Sequence, residues 1–230
     1  MERESATFLF ADLAGFTALT EAHGDVRAAD VAAHFCADAR RIVGDRGAVL
    51  KTIGDAVMVR FPIAADAISA GLRITSELGG EHHAPTIRVG MHHGTAVERD
   101  GDWFGLAVNV AARVAALAAG GEVLLTDATR RAAGELDGIT LRHHGTHRLR
   151  NVTDPIAVLR AVATETAARA LDVDPVCRMA VDPSRAAGWL VHEGREYRFC
   201  SLECASRFAS APGRFTAGMP TAGPHGSHNP

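Results

Sequence analysis

The 230 residues carry a formal net charge of −3, with 47% hydrophobic and 22% charged side chains, the balance of a soluble globular chain. A nucleic-acid-binding surface would leave a basic stripe and a membrane span an apolar run of about 20 residues. The sequence has neither, so nucleic acid and membrane are not expected partners. The Met1-Glu2-Arg3-Glu4 start lacks an export-signal pattern, which predicts a cytoplasmic location, and the length suits one ordinary domain followed by a small one.

In chain order, Ala6 to Asp12 reads as a strand. Asp25 to Arg46, with Val31, Phe35, Ala39 and Ile42 at helical spacing, predicts a long helix ended by Gly47. Val49 to Ile53 and Val57 to Phe61 predict a hairpin turning on Gly54-Asp55. Pro62 opens a second helix to about Leu78, and Ile87 to His92 is a further strand. Gly105 to Leu117 predicts a helix stopped by Gly120-Gly121, followed by strands at Glu122 to Leu125 and Pro155 to Val162. This order predicts an α/β (α+β) sandwich with a ferredoxin-like βαββαβ core. The expected organisation is a first domain over 5–162, an Ala-rich linker over 163–171 and a Cys-containing module over 172–216. The remaining stretch, 217–230, is rich in Gly, Pro and His and reads as a disordered tail.

The apolar run Thr7-Phe8-Leu9-Phe10-Ala11 stops on Asp12. A carboxylate at the tip of a buried strand is costly unless a cation sits beside it. The second acid is Asp55, which a hairpin packed against the first strand would bring close. Two such carboxylates form a hard-oxygen site for Mg²⁺ or Mn²⁺, and with phosphates as co-ligands a site for two ions. The turn after Asp12 runs through Gly15, Phe16 and Thr17 into a helix, placing backbone amides where phosphate oxygens can bind. In "DWFGLAVNVAARVAAL", Asn109 and Arg113 lie four residues apart on one helix face. They are the only polar groups in the midsection of a helix that otherwise looks buried, and suit a ribose and a phosphoryl group.

Together, "FLFADLAGFTALT", "LKTIGDAVMVRF", "IRVGMHHGTAV" and "GDWFGLAVNVAARV" resemble the catalytic domain of the class III adenylyl/guanylyl cyclases, from Ala6 to Val162. The resemblance implies that Asp12 and Asp55 hold the two catalytic metal ions, Asn109 orients the ribose and Arg113 stabilises the transition state. It implies that Lys51 and Asp102 read the purine, a combination associated with adenine, and that Arg150 stands where a triphosphate-contacting lysine is common. Adenine offers an amino donor to Asp102 and a ring acceptor to Lys51, whereas guanine would turn a carbonyl toward the carboxylate. ATP is therefore the expected substrate, converted to 3′,5′-cyclic AMP and pyrophosphate. In this family each site forms between two domains, so one chain with the full residue set implies a head-to-tail homodimer with two sites. Guanylate cyclase activity, or a non-catalytic nucleotide-binding or metal-sensing protein with the same fold, are the alternative readings.

Three of the four cysteines cluster late in the chain, a pattern that in a reducing compartment favours metal over disulfides. "DPVCRMAVDP" followed by "YRFCSLECASRF" resembles the YHS domain, a metal-binding module of the TRASH type, from about Asp174 to Phe215. Cys177, Cys200 and Cys204 suit Zn²⁺ or a softer ion such as Cu(I), and a module this small has reason to use a metal staple. The sequence leaves the fourth ligand open, with His192, Asp174 or an unfilled position for a sensed ion as candidates, and the module is expected to modulate the first domain. Cys36 reads as a core residue. The pairs His82-His83, His92-His93 and His143-His144 read as surface or strand-end residues, and His225 and His228 fall in the tail.

Overall fold

The computed structural model describes residues 3–80, 82–164 and 171–216. The expected disordered tail and most of the expected linker lie outside the described residues. The first part of the chain runs β1 (Arg3–Leu13), α1 (Phe16–His23), α2 (Asp25–Val43), β2 (Ala48–Ile53), β3 (Ala56–Phe61), α3 (Ala64–Arg73), β4 (Ile87–Arg99), β5 (Asp102–Phe104), α4 (Leu106–Leu117), β6 (Val123–Thr126), α5 (Asp127–Ala133), β7 (Ile139–His147) and β8 (Ile156–Ala163). One sheet is ordered β2-β3-β1-β4-β6-β8-β7, with β5 added beside β4. Its β2-β3-β1-β4 half is antiparallel and is the expected ferredoxin-like core; β6 then joins β4 in parallel through α4.

β1 is buried on both faces, which is why its sequence is nearly unbroken in apolar character. Leu9, Ala11 and Leu13 pack with Phe35, Ile42, Ile68 and Ile74 on the α2 and α3 side. Ala6 and Phe8 face the other side, with Met58, Trp103, Ala107 and Ala111 beneath α4. The alternation follows the two-residue repeat of a strand. α4 lies so close to the sheet that a Cβ at Gly90 of β4 would stand 1.9 Å from the Ala115 amide nitrogen. Glycine at 90 therefore sets the depth of the helix that carries Asn109 and Arg113.

Several boundaries depart from the sequence reading. α2 stops at Val43 because Gly44 takes φ 51°, and one 3₁₀ turn (Gly44–Arg46) follows. α3 starts at Ala64 because Ile63 is extended, and its last turn widens into a π-turn over Ile74–Leu78. β4 runs on to Arg99 because β1 and β5 supply partners beyond His92. α5 and β7 were not expected. α5 is a short helix capped by Thr126, whose side chain accepts from the Thr129 amide. β7 alternates too weakly to stand out, with half-exposed histidines along it.

The C-terminal part runs β9 (Asp172–Val173), β10 (Ala180–Val181), β11 (Gly188–His192), β12 (Arg195–Phe199), α6 (Leu202–Ser210) and α7 (Pro212–Thr216). Its core is not self-contained. Leu19 and Ala22 of α1 and Ala28 of α2 belong to the same buried cluster as Val181, Phe199, Phe208 and the three cysteines. Among the described residues no helix is long and apolar enough to cross a membrane.

The close approach of α4 yields a prediction. Gly90→Ala must lift the helix off the sheet and is expected to destabilise the protein by about 3 kcal/mol, read as a lowered denaturation midpoint at unchanged slope.

Candidate active site and metal cluster

The expected juxtaposition of the two acids is present. Asp12 pairs in register with Ala56, so Asp55, in the turn before β3, stands beside it. On the other side Asp12 is opposite Arg88 of β4. Arg88 Nη2 donates to Asp12 Oδ2 at 3.0 Å and Arg88 Nε donates to Oδ1, a two-pronged pair. Burial pushes the Asp55 carboxyl up, the Asp12 charge adds to that shift, and the Arg88 charge works against it. A cation thus already balances the buried strand end. The donor set of two neighbouring carboxylates fits Mg²⁺ or Mn²⁺.

Gly15 follows in the left-handed region (φ 85°) and opens α1. The Phe16 side chain is engaged in packing between the two largest core clusters, so only its backbone is free to serve a ligand. Thr17 is exposed. The Ala14 amide donates to the Thr86 carbonyl, which anchors the turn to the segment before β4.

Lys51 and Asp102 meet directly. Lys51 Nζ donates to Asp102 at 2.9 Å (Oδ1) and 2.6 Å (Oδ2), and the Trp103 amide donates to Oδ1 at 2.8 Å. The lysine bond, then the amide, hold the Asp102 carboxyl below its usual range. A register shift between Val49 and Lys51 marks a bulge in β2, the kind of irregularity that re-aims a side chain.

Asn109 and Arg113 share a helix face as expected, but that face is not buried: Asn109 is exposed and Arg113 half-exposed. The small residues Ala107, Val110, Ala111 and Val114 form the packed side of α4. Neither Asn109 nor Arg113 has a side-chain partner among the described residues, and the same holds for exposed Arg150. No hydrogen bond or ion pair among the described residues joins the acid pair to Lys51, Asp102, Asn109 or Arg113.

In the C-terminal part, Cys177 Sγ lies 3.4 Å from Cys200 Sγ, which lies 3.7 Å from Cys204 Sγ. The hydrogen bonds from Cys177 and Cys200 favour the thiolate at Cys204 and lower its pKa, while the same bonds raise the Cys177 thiol. Neither of the two candidate fourth ligands belongs to the set of ligand atoms that gather here. His192 packs edge-on against Phe208 and sits 4.0 Å from Glu193, away from the sulfurs. Asp174 is buried beside the cluster, but its oxygens accept from the Val176, Cys177 and Cys200 amides, so they are already engaged in tying the cysteine loops together. The imidazole that does face the sulfurs is His23, at the end of α1: its Nε2 is 3.8 Å from Cys200 Sγ and 4.0 Å from Cys204 Sγ.

The paired histidines also differ from their surface reading. His83 Nε2 meets the Cys200 carbonyl at 2.9 Å, and His82 Nδ1 accepts from the Asp182 amide at 3.1 Å. His92 is largely enclosed on β4, with Nδ1 2.8 Å from Thr126 Oγ1. Arg88, His23 and His83 carry no local motif; only their partners, distant in sequence, reveal them.

This fold, with an acid pair at adjoining strand ends and a Lys–Asp pair beside an Asn/Arg helix, is that of a class III cyclase catalytic domain. Residues 1–154 match the family model "Adenylate and Guanylate cyclase catalytic domain", and the chain belongs to that family. Residues 173–218 match the YHS domain. A pH-sensitive adenylate cyclase of Mycobacterium tuberculosis is 37% identical over 157 residues, 67% of this chain and 40% of that protein. An adenylate cyclase of Streptomyces griseus is 34% identical over 52% of this chain and 30% of its own length. The chain thus spans less than half of these relatives. A copper-transporting P-type ATPase of Rhizobium leguminosarum is 50% identical over 48 residues, 21% of this chain and 6% of that one. Among solved structures, the adenylyl cyclase CyaB of P. aeruginosa superimposes with TM-score 0.62 at 23% identity, covering 73% of this chain and 97% of that one. An adenylate/guanylate cyclase/hydrolase of Silicibacter pomeroyi gives 0.62 at 28% identity, covering 70% and 98%.

A pH prediction rests on His92. Burial, then the neighbouring His93, hold its imidazole down to about 4, so the folded state binds a proton less readily than the unfolded chain. The neutral ring's contribution is complete above the ordinary histidine pKa of about 6.5 and is lost as pH falls through the window down to 4. His92→Gln is expected to remove about 3 kcal/mol of that acid destabilisation, measured by denaturant unfolding at a series of pH values.

Proposed function

We propose that this chain is a cytoplasmic adenylate cyclase that converts ATP to 3′,5′-cyclic AMP and pyrophosphate at the interface of a head-to-tail homodimer. The observation that carries the reading is the preformed Lys51–Asp102 pair, in which acceptor and donor are already fixed side by side. Asp102 takes the adenine amino hydrogen and Lys51 donates to a ring nitrogen, a pattern that guanine reverses. A second copy of the chain supplies what one copy keeps apart. The acid pair of one protomer faces Asn109 and Arg113 of the other, and exposed Ile53, Phe104 and Leu106, at 56%, 54% and 60% accessibility, flank these residues as interface candidates.

In the reaction the ribose 3′-oxygen attacks the α-phosphorus, the new phosphorus–oxygen bond forms, and the bond to the β-phosphate breaks with release of pyrophosphate. Asp12 and Asp55 hold the two divalent ions, Mg²⁺ or Mn²⁺, which supply charge neutralisation and a more acidic ribose hydroxyl. Asn109 fixes the ribose so that its 3′-oxygen stands in line. Arg113 meets the charge that develops on the α-phosphoryl oxygens. Amides at Gly15, Phe16 and Thr17 receive phosphate oxygens at the start of α1, Arg88 shifts from Asp12 toward them, and Arg150 adds charge at the triphosphate. The C-terminal module, holding Zn²⁺ or another thiophilic ion on its cysteines, adjusts this output. The stretch shared with a copper transporter supports a soft ion such as Cu(I).

A two-protomer site has a quantitative signature. Asp55→Ala and Arg113→Ala are each expected to lose at least about 100-fold in turnover. Mixed in equal amounts, they form heterodimers as half of all dimers, each with one intact site, and restore about a quarter of wild-type activity. No recovery on mixing would contradict a shared site.

A further inference from the structure

We propose that His23, a residue of the catalytic domain, is the fourth ligand of the Cys177–Cys200–Cys204 site, so that an ion seated there fastens the C-terminal module to the helix that follows the Asp12 turn. The four ligand atoms, three Sγ and one imidazole nitrogen, lie within 4.8 Å of one another. Tetrahedral coordination with bonds near 2.3 Å places ligand atoms about 3.7 Å apart. The sulfur–sulfur distances of 3.4 and 3.7 Å and the sulfur–nitrogen distances of 3.8 and 4.0 Å stand close to that spacing. A set of three thiols and one imidazole is that of a closed structural zinc site and also suits other thiophilic ions.

The surroundings are built to keep this geometry. Asp174 grips the amides of Cys177 and Cys200 with one carboxylate, and Ser201 caps α6, accepting from the Cys204 amide at 3.2 Å. The module is also seated on the segments that carry the acid site. Thr86 Oγ1 donates to the Arg178 carbonyl at 3.2 Å and lies 3.4 Å from the Ala14 carbonyl. The Arg178 side chain covers Gly15 so closely that a Cβ there would meet it at 2.5 Å. Pro85 bridges to Met179. α1 spans only Phe16 to His23, with Leu19 and Ala22 buried among the cysteines. An ion holding His23 therefore holds the far end of the one short helix whose near end is the Gly15 turn.

The metal-ligand claim stands independently of the cyclase reading, because its readouts need no nucleotide; only its consequence for regulation rests on that reading. The 230-residue chain, stripped of metal, is titrated with Co²⁺ and competed with Zn²⁺. The wild type is expected to bind one ion per chain with the intense visible bands of a tetrahedral site and sulfur charge-transfer absorption. His23→Ala is expected to weaken binding on the order of 100-fold, one ligand's share of a structural zinc site, and to shift those bands. His23→Cys is expected to restore tight binding with a four-sulfur spectrum, while His192→Ala leaves both unchanged. Hydrogen exchange of residues 12–23 is expected to slow on Zn²⁺ loading in the wild type and not in His23→Ala. X-ray absorption of the Zn²⁺-loaded wild type, which requires no variant to fold, should show three sulfurs and one imidazole. Unaltered affinity and spectrum in folded His23→Ala, or a fourth scatterer that is not imidazole, would overturn the proposal.

Discussion

An ionised carboxylate at the end of a strand buried on both faces is tolerable only beside a positive charge, and at Asp12 this requirement organises its surroundings. Arg88 supplies the charge from β4, two-pronged and in register. The β2–β3 turn brings Asp55 alongside, so the strand end carries more negative charge than one guanidinium balances. An acid pair that is incompletely neutralised, with a burial-raised carboxyl, is a place where a divalent ion gains more than it does at an ordinary surface acid.

From that strand end the constraint runs outward along the chain. Asp12 leads to Gly15, Gly15 opens α1, and α1 ends on His23 against the three cysteines. The opposite half of the site follows a different logic. Gly90 lets α4 settle on β4, which turns Asn109 and Arg113 outward without side-chain partners among the described residues, and Lys51 with Asp102 forms a rigid donor–acceptor pair. A guanidinium and an amide displayed on an exposed stripe next to exposed apolar side chains suit an interface better than a monomer surface.

Much of this was legible in the amino-acid order. An apolar run ending on Asp12, a Gly54-Asp55 hairpin and an Asn109/Arg113 spacing are local patterns, and the antiparallel core follows from the sequence of strand and helix signals. The rest depended on contacts between distant residues. Arg88 looks like any strand arginine until β4 is laid against β1. His23 is separated from Cys200 by 177 positions, so no ligand spacing could announce it, and the side chains that sequence could offer as candidates, His192 and Asp174, lie within the module. The helix holding Asn109 read as buried because alanine and valine dominate it, yet small residues also form the packed side of a helix that rests directly on a sheet. The module read as a separate unit because its cysteines are close in sequence, whereas its core is shared with α1 and α2.

The central claim is that the paired acids and the Lys–Asp reader act together on an adenine nucleotide. The most direct measurement is to incubate the purified chain with Mn²⁺ and equal concentrations of ATP and GTP and to identify the products by mass. The account predicts 3′,5′-cyclic AMP and pyrophosphate, with cyclic GMP a minor product at most. Cyclic GMP as the main product would contradict the adenine assignment, and no cyclic nucleotide at all would contradict the catalytic reading.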